Sequence, residues 1–160
     1  MNTAQDDKKF LQQTITLAAE NVQMGRGGPF AALVVKDGQV IATGANFVTS
    51  NNDPTAHAEI MAIRNACKQL NSFQLNDCTI YSNCEPCPMC LGAIYWARPE
   101  RLVFAANKEQ AATAGFDDAF IYKELELPYT KRSLQTLQIA EENNNFPFEL
   151  WIESANKIAY

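Results

Sequence analysis

The chain has 160 residues, of which 47% are hydrophobic and 19% charged, and this is the size and composition of one globular domain. Its net charge is −5, which argues against a protein whose main partner is nucleic acid, because phosphate groups need a concentrated basic face. No apolar run approaches the length of a membrane span, and residues 1–10 do not resemble an export signal. We therefore expect a single domain over 1–160 in the cytoplasm, without contact to a membrane.

The first elements follow from apolar spacing and turn residues. Apolar residues recur at helical spacing between residues 6 and 24, which predicts a helix. Two runs of strand-forming residues, 30–36 and 40–46, flank the dipeptide Asp37-Gly38. A two-residue turn of this composition predicts a tight β-hairpin.

The following segments continue to alternate between helix and strand. The sequence predicts a helix over 55–70, a strand over 78–83, a helix over 88–97 and a strand over 101–106. This order predicts a sheet with helices packed against it. Beyond Gly115 the pattern weakens, although residues 147–158 have helical spacing and an apolar face that we expect to be buried.

The stretch CEPCPMC over residues 84–90 carries three of the five cysteines, and the chain has one histidine, His57. Cys87 and Cys90 form a Cys-x-x-Cys motif between a predicted strand and a predicted helix, where the helix dipole favours thiolates. Thiolates and a neutral imidazole are the ligands that Zn²⁺ prefers. We interpret Cys67 and Cys78, by contrast, as small buried apolar residues.

Two kinds of zinc site are compatible with these residues. If Cys84 binds together with His57, Cys87 and Cys90, the site is closed and structural, whereas three ligands leave a position open for catalysis. Glu59 favours the open site because a carboxylate near such a metal can carry protons. In a regular helix, however, residues two apart point to different sides, so spacing alone does not bring Glu59 and His57 together.

His57-Ala58-Glu59 followed by Pro86-Cys87-Pro88-Met89-Cys90 resembles the H-x-E and P-C-x-x-C signature of the zinc-dependent nucleoside and nucleobase deaminases. The similarity to the bacterial guanine deaminases of this family extends over four segments, namely NDPTAHAE (52–59), SNCEPCPMCLGAIYWARP (82–99), AGFDDAFIYKE (114–124) and SANKIAY (154–160). The resemblance implies a three-layer α/β/α sandwich with a mixed five-stranded sheet, the cytidine deaminase-like fold. It also implies one Zn²⁺ per chain, held by His57, Cys87 and Cys90, with Cys84 supporting the turn.

By this resemblance the reaction is hydrolysis of guanine to xanthine and ammonia. Glu59 would carry the proton of the attacking water to the ring, and Asp118 would supply a proton to the departing amine. Four positions match family residues around the base: Phe30, Asn46, Trp96 and Tyr160. Each has a structural alternative, since an aromatic residue is often part of a core and a terminal residue is often frayed.

The resemblance also implies a homodimer, in which the C-terminal segment 147–160 forms a lid that can be exchanged between the chains. Other deaminases share the signature, so cytosine, cytidine or tRNA adenosine remain alternative substrates. A tRNA enzyme would be expected to have a basic surface, which this acidic chain does not predict. A closed Cys3His binding module is the alternative without enzymatic activity.

Overall fold

The computed structural model describes residues 4–159, and its first compact unit extends to Asp118. This unit contains four strands and five helices in the following order: α1 (Ala4–Gln23), β1 (Ala31–Lys36), β2 (Gln39–Ala45), α2 (Val48–Asn51), α3 (Ala58–Leu70), β3 (Cys78–Cys84), α4 (Pro88–Ala97), β4 (Arg101–Ala106) and α5 (Lys108–Thr113). The second unit begins at Ala119 and contains α6 (Ala119–Glu126), a 3₁₀ turn (Tyr129–Lys131) and α7 (Phe146–Glu153).

The four strands form one mixed sheet in the order β2-β1-β3-β4. Strand β1 pairs antiparallel with both β2 and β3, and β3 pairs parallel with β4. The predicted hairpin is confirmed: Asp37 and Gly38 have φ values of 50° and 74°, and two consecutive positive φ angles are the requirement of a type I′ turn.

Helices cover both faces of the sheet because alternate side chains of β1 point to opposite sides. Leu33 and Val35 pack with Phe10 of α1 and Tyr81 of β3. The other face buries an apolar cluster from β1, β3, α3 and α4, which includes Ala32, Val34, Ala62, Ile80 and Ile94. The predicted α/β sandwich is therefore confirmed.

The expectation of a fifth strand is wrong for the residues that the structure describes. After β4 the chain enters α5, whose first turn is closed by reciprocal hydrogen bonds between Asn107 and Gln110, and it then continues into α6. A capping box of this kind satisfies the first free amides of a helix, so the chain is already helical where another strand would follow.

The second unit differs from the expected buried terminal helix. Helix α7 ends at Glu153 rather than at residue 158. The side chains expected to be buried are exposed, with exposed fractions of 67% for Phe148, 46% for Trp151 and 66% for Ile152. Within residues 4–159, no helix combines the length and the apolar character needed to cross a bilayer.

Gly44 allows α3 to approach the sheet closely. A Cβ at this position of β2 would lie 2.2 Å from the carbonyl oxygen of Ala58 and 2.3 Å from the amide nitrogen of Ala62. Both atoms belong to the backbone of α3, so no side-chain rotation can relieve the contact. Helix α3 can occupy its position only because residue 44 has no side chain.

Replacing Gly44 with alanine is expected to lower the free energy of unfolding by about 1–3 kcal/mol, the usual cost of overpacking. Gly92→Ala is the matched control, since its added methyl group meets nothing within 4 Å and alanine favours helix over glycine. Urea unfolding of both variants measures the difference. Equal stability of Gly44→Ala and the parent chain would contradict the packing argument.

Candidate active site

His57 and Cys87 each occupy the position immediately before the first residue of a helix. The backbone is extended at both, with ψ of 156° at His57 before α3 and 167° at Cys87 before α4. The predicted helix 55–70 therefore begins at Ala58. Because His57 lies outside the helix, the regular helical directions that would separate it from Glu59 do not apply, and both side chains reach the same pocket.

Three potential ligand atoms converge at these helix starts. The Nδ1 atom of His57 lies 3.6 Å from the sulfur of Cys87 and 3.5 Å from the sulfur of Cys90, and all three atoms lie within 4.8 Å of one another. Zinc bonds of about 2.3 Å to sulfur and 2.0–2.1 Å to nitrogen at a tetrahedral angle separate the two ligand atoms by about 3.6 Å. The three residues therefore fit a zinc ion.

Cys84 does not join this cluster in the described part of the chain. Its thiol is directed at the carbonyl oxygen of Asn107, at 3.8 Å, and burial raises its pKa to about 11. The structure therefore brings together three candidate ligand atoms rather than the four of the closed Cys3His alternative. Three protein ligands would leave a fourth zinc position open.

Cys87 and Cys90 differ in acidity because one donates a hydrogen bond to the other. The hydrogen bond from Cys90, supported by His57, lowers the pKa of Cys87 to about 4, so Cys87 is a thiolate at neutral pH. The same bond and burial raise the pKa of Cys90. Binding of a metal ion to both sulfurs would release the proton of Cys90.

Glu59 lines the pocket and is only 5% exposed. The hydroxyl of Ser82 on β3 donates a hydrogen bond of 3.0 Å to its carboxylate, which fixes the orientation of the side chain. Burial is the main cause that raises the pKa of Glu59. A carboxyl group with a raised pKa binds a proton more readily and can therefore act as a carrier that accepts a proton and returns it.

The pocket has a volume of about 440 Å³, within the range of sites for small molecules. Six of the predicted site residues line it: Phe30, Asn46, His57, Glu59, Cys87 and Asp118. Cys90 is 1% exposed and belongs to the ligand cluster rather than to the wall. Burial, and then the negative charge of Cys87, raise the pKa of Asp118.

Trp96 is not among the described residues that line this pocket; it lies on α4 with 65% of its surface exposed. Tyr160 lies outside the described residues. The structure adds Phe116, whose ring meets Phe30 edge to face with centroids 4.9 Å apart. The GFDD segment containing Phe116 was the available sequence signal, whereas no local pattern distinguished Ser82.

The family model of the cytidine and deoxycytidylate deaminase zinc-binding region matches residues 4–106. The chain is 55% identical to the guanine deaminase of Bacillus subtilis over 151 residues, which are 94% of this chain and 97% of that protein. The crystal structure of guanine deaminase from Bacillus subtilis superposes with a TM-score of 0.95 at 53% identity, covering 100% of this chain and 99% of the other.

A tRNA-specific adenosine deaminase from Haemophilus influenzae is also similar, at 38% identity over 118 residues, covering 70% of this chain and 68% of that protein. The family match over residues 4–106 includes His57, Glu59, Cys87 and Cys90. The chain therefore belongs to the cytidine and deoxycytidylate deaminase family and carries the zinc-binding region of that family.

Proposed function

We propose that the chain hydrolyses guanine to xanthine and ammonia. The observation that supports guanine as the substrate is the 55% identity with a guanine deaminase across nearly the full length of both chains. The similarity to the tRNA deaminase covers only 70% of the chain, and a net charge of −5 does not favour binding of a polyanion.

His57, Cys87 and Cys90 would hold the zinc ion. When bound, zinc supplies Lewis acidity, which makes water a competent nucleophile near neutral pH. Glu59 accepts a proton from the attacking water at its carboxylate and transfers it to a ring nitrogen of guanine. Ser82 keeps that carboxylate in one orientation through its hydrogen bond, so the proton is exchanged at a defined position.

The leaving amine also needs a proton, because an amide anion is a very poor leaving group. Asp118 lines the same pocket, and its raised pKa means that it holds a proton more readily than an ordinary aspartate and can supply one to the amine. The rings of Phe30 and Phe116 offer an apolar surface to a flat purine. Asn46 contributes a polar side chain that can bind the edge of the base.

We further propose that the active unit is a homodimer in the cytoplasm, where the metal-binding thiols stay reduced. Tyr95 and Trp96 form an exposed aromatic surface on α4, with exposed fractions of 75% and 65%. The second unit also exposes many apolar side chains, among them Phe120, Leu134, Leu137, Ile139 and Phe148. Apolar surfaces of this extent favour contact with a second copy, and 147–160 is the lid segment that the copies would exchange.

The first experiment measures ammonia release from guanine, adenine, cytosine, cytidine and a tRNA anticodon hairpin in parallel. We expect guanine to react fastest. Faster release from cytosine or the hairpin would refute the guanine assignment.

The same assay tests the role of Glu59. Glu59→Gln keeps all three metal ligands but cannot carry the proton, so its turnover should fall by at least about 100-fold with zinc retained. Exposed Glu109→Gln is the control.

Metal analysis of cysteine variants tests the ligand set. Cys87→Ala and Cys90→Ala should lose the single zinc ion per chain, because two remaining ligands cannot hold it. Cys84→Ala should keep it, since this thiol faces Asn107. A Cys84→Ala protein without zinc would show that the site has four protein ligands.

Deletion of residues 156–160 tests the lid. The truncated chain should keep its zinc but lose most guanine turnover, because a lid positions the substrate and excludes water. Co-refolding with full-length Glu59→Gln should restore turnover if the segments are exchanged, since an intact segment then reaches an intact site. Inactive mixed dimers would refute the exchange, and full activity of the truncated chain alone would refute the lid.

A further inference from the structure

Asn21 links two backbone segments of the pocket from behind. It lies on α1, is 2% exposed and does not line the pocket. Its Nδ2 donates hydrogen bonds of 2.9 Å to the carbonyl oxygens of both Gly28 and Asn46. Gly28 and Asn46 line the pocket, so one buried amide holds two parts of its wall.

The other end of the Asn21 amide is unsatisfied. Its Oδ1 atom is buried and has no hydrogen-bond partner within the described residues. Burying an unpaired acceptor costs about 1–3 kcal/mol, which an apolar side chain of similar size would avoid. Packing alone therefore does not explain an asparagine at this position, whereas its two donated hydrogen bonds do.

The Asn46 side chain is fixed by the same group of contacts. Its Oδ1 accepts hydrogen bonds from the backbone amides of Gly28, at 3.2 Å, and Val48, at 3.3 Å. Both partners are donors, so the oxygen must face them and the nitrogen must face away. Asn46 then has N–H donors available for an acceptor atom on a ligand.

Gly27 completes this arrangement. A Cβ at Gly27 would lie 2.2 Å from the carbonyl oxygen of Asn46, so the segment carrying Gly28 lies directly against Asn46. Small movements of either segment would lengthen the bonds to the Asn46 amide. Asn21 bonds to both segments, and it thereby limits such movements.

We propose that Asn21 is a positioning residue for purine recognition: it ties Gly28 to Asn46, which keeps the Asn46 N–H donors directed at an acceptor on the base. This inference rests on the proposed function, because it assigns Asn46 to the bound purine. Asn21 itself neither belongs to the metal cluster nor lines the pocket, so it acts on the reaction through the wall residues that it bonds, and above all through Asn46.

The first test compares Asn21→Ala with Asn65→Ala in guanine deamination. Asn65 is the matched control, because its Nδ2 also donates a 2.9 Å hydrogen bond to a backbone carbonyl, that of Thr43 on β2, but it does not line the pocket. We expect Asn21→Ala to raise KM roughly tenfold, on the scale of one hydrogen bond, with kcat and zinc content little changed. Asn65→Ala should leave KM unchanged.

A double-mutant cycle then shows whether Asn21 acts through Asn46. If it does, Asn21→Ala should have almost no further effect on kcat/KM once Asn46→Ala is present. If the losses of kcat/KM in the two single variants multiply in the double variant, the inference is overturned. A fall in kcat and zinc content of Asn21→Ala without a rise in KM would overturn it as well. If Asn21→Ala does not fold, Asn21→Leu replaces it, because leucine has a similar branched shape, donates no hydrogen bond and buries no unpaired acceptor.

The result also separates this inference from the proposed function. If the parent chain deaminates guanine but the losses of kcat/KM multiply in the double variant, only the role of Asn21 is refuted. A zinc-loaded parent chain without guanine turnover would refute the proposed function and this inference together.

Discussion

The active site depends on two helix starts that meet at one place. His57 and Cys87 precede α3 and α4 in extended conformations, and the free amides at each helix start favour negative charge there. This arrangement supports the Cys87 thiolate and points both ligands away from their helices. Cys90 and Glu59 follow in the first turns, so four functional side chains are fixed by two short segments.

The position of these segments relative to each other is set by packing against the sheet. Gly44 lets the backbone of α3 lie almost in contact with β2. Ile94 of α4 packs into the apolar cluster that α3 forms with the sheet. Behind the pocket, Asn21 holds the Gly28 and Asn46 segments together. The candidate metal ligands and the pocket wall at Gly28 and Asn46 therefore have separate supports, apolar packing for the first and hydrogen bonds for the second.

The environment of the pocket raises the pKa values of its carboxyl groups. Burial is the main cause of the raised pKa values of both Glu59 and Asp118, and the thiolate of Cys87 raises each further. Two carboxyl groups that hold protons more readily than usual suit a reaction that takes protons from water and returns them to nitrogen. A divalent cation bound by the cluster would counter this raising, because positive charge favours the ionised carboxylate.

Local sequence was sufficient to predict the hairpin at Asp37-Gly38 and the alternation of helices and strands, because turn chemistry and apolar spacing are local properties. The grouping of His57 with Cys87 and Cys90, which lie 30 and 33 residues away, followed instead from ligand type and from the family signature. Local sequence was insufficient for Asn21, Ser82 and Gly44, because each has a partner that is distant in the chain: 25 residues away for Asn21, 23 for Ser82 and 14 or more for Gly44. It also could not show that α7 would expose its apolar face within one chain. Such features depend on which surfaces the folded sheet and helices bring together, and this is decided only when the tertiary structure forms.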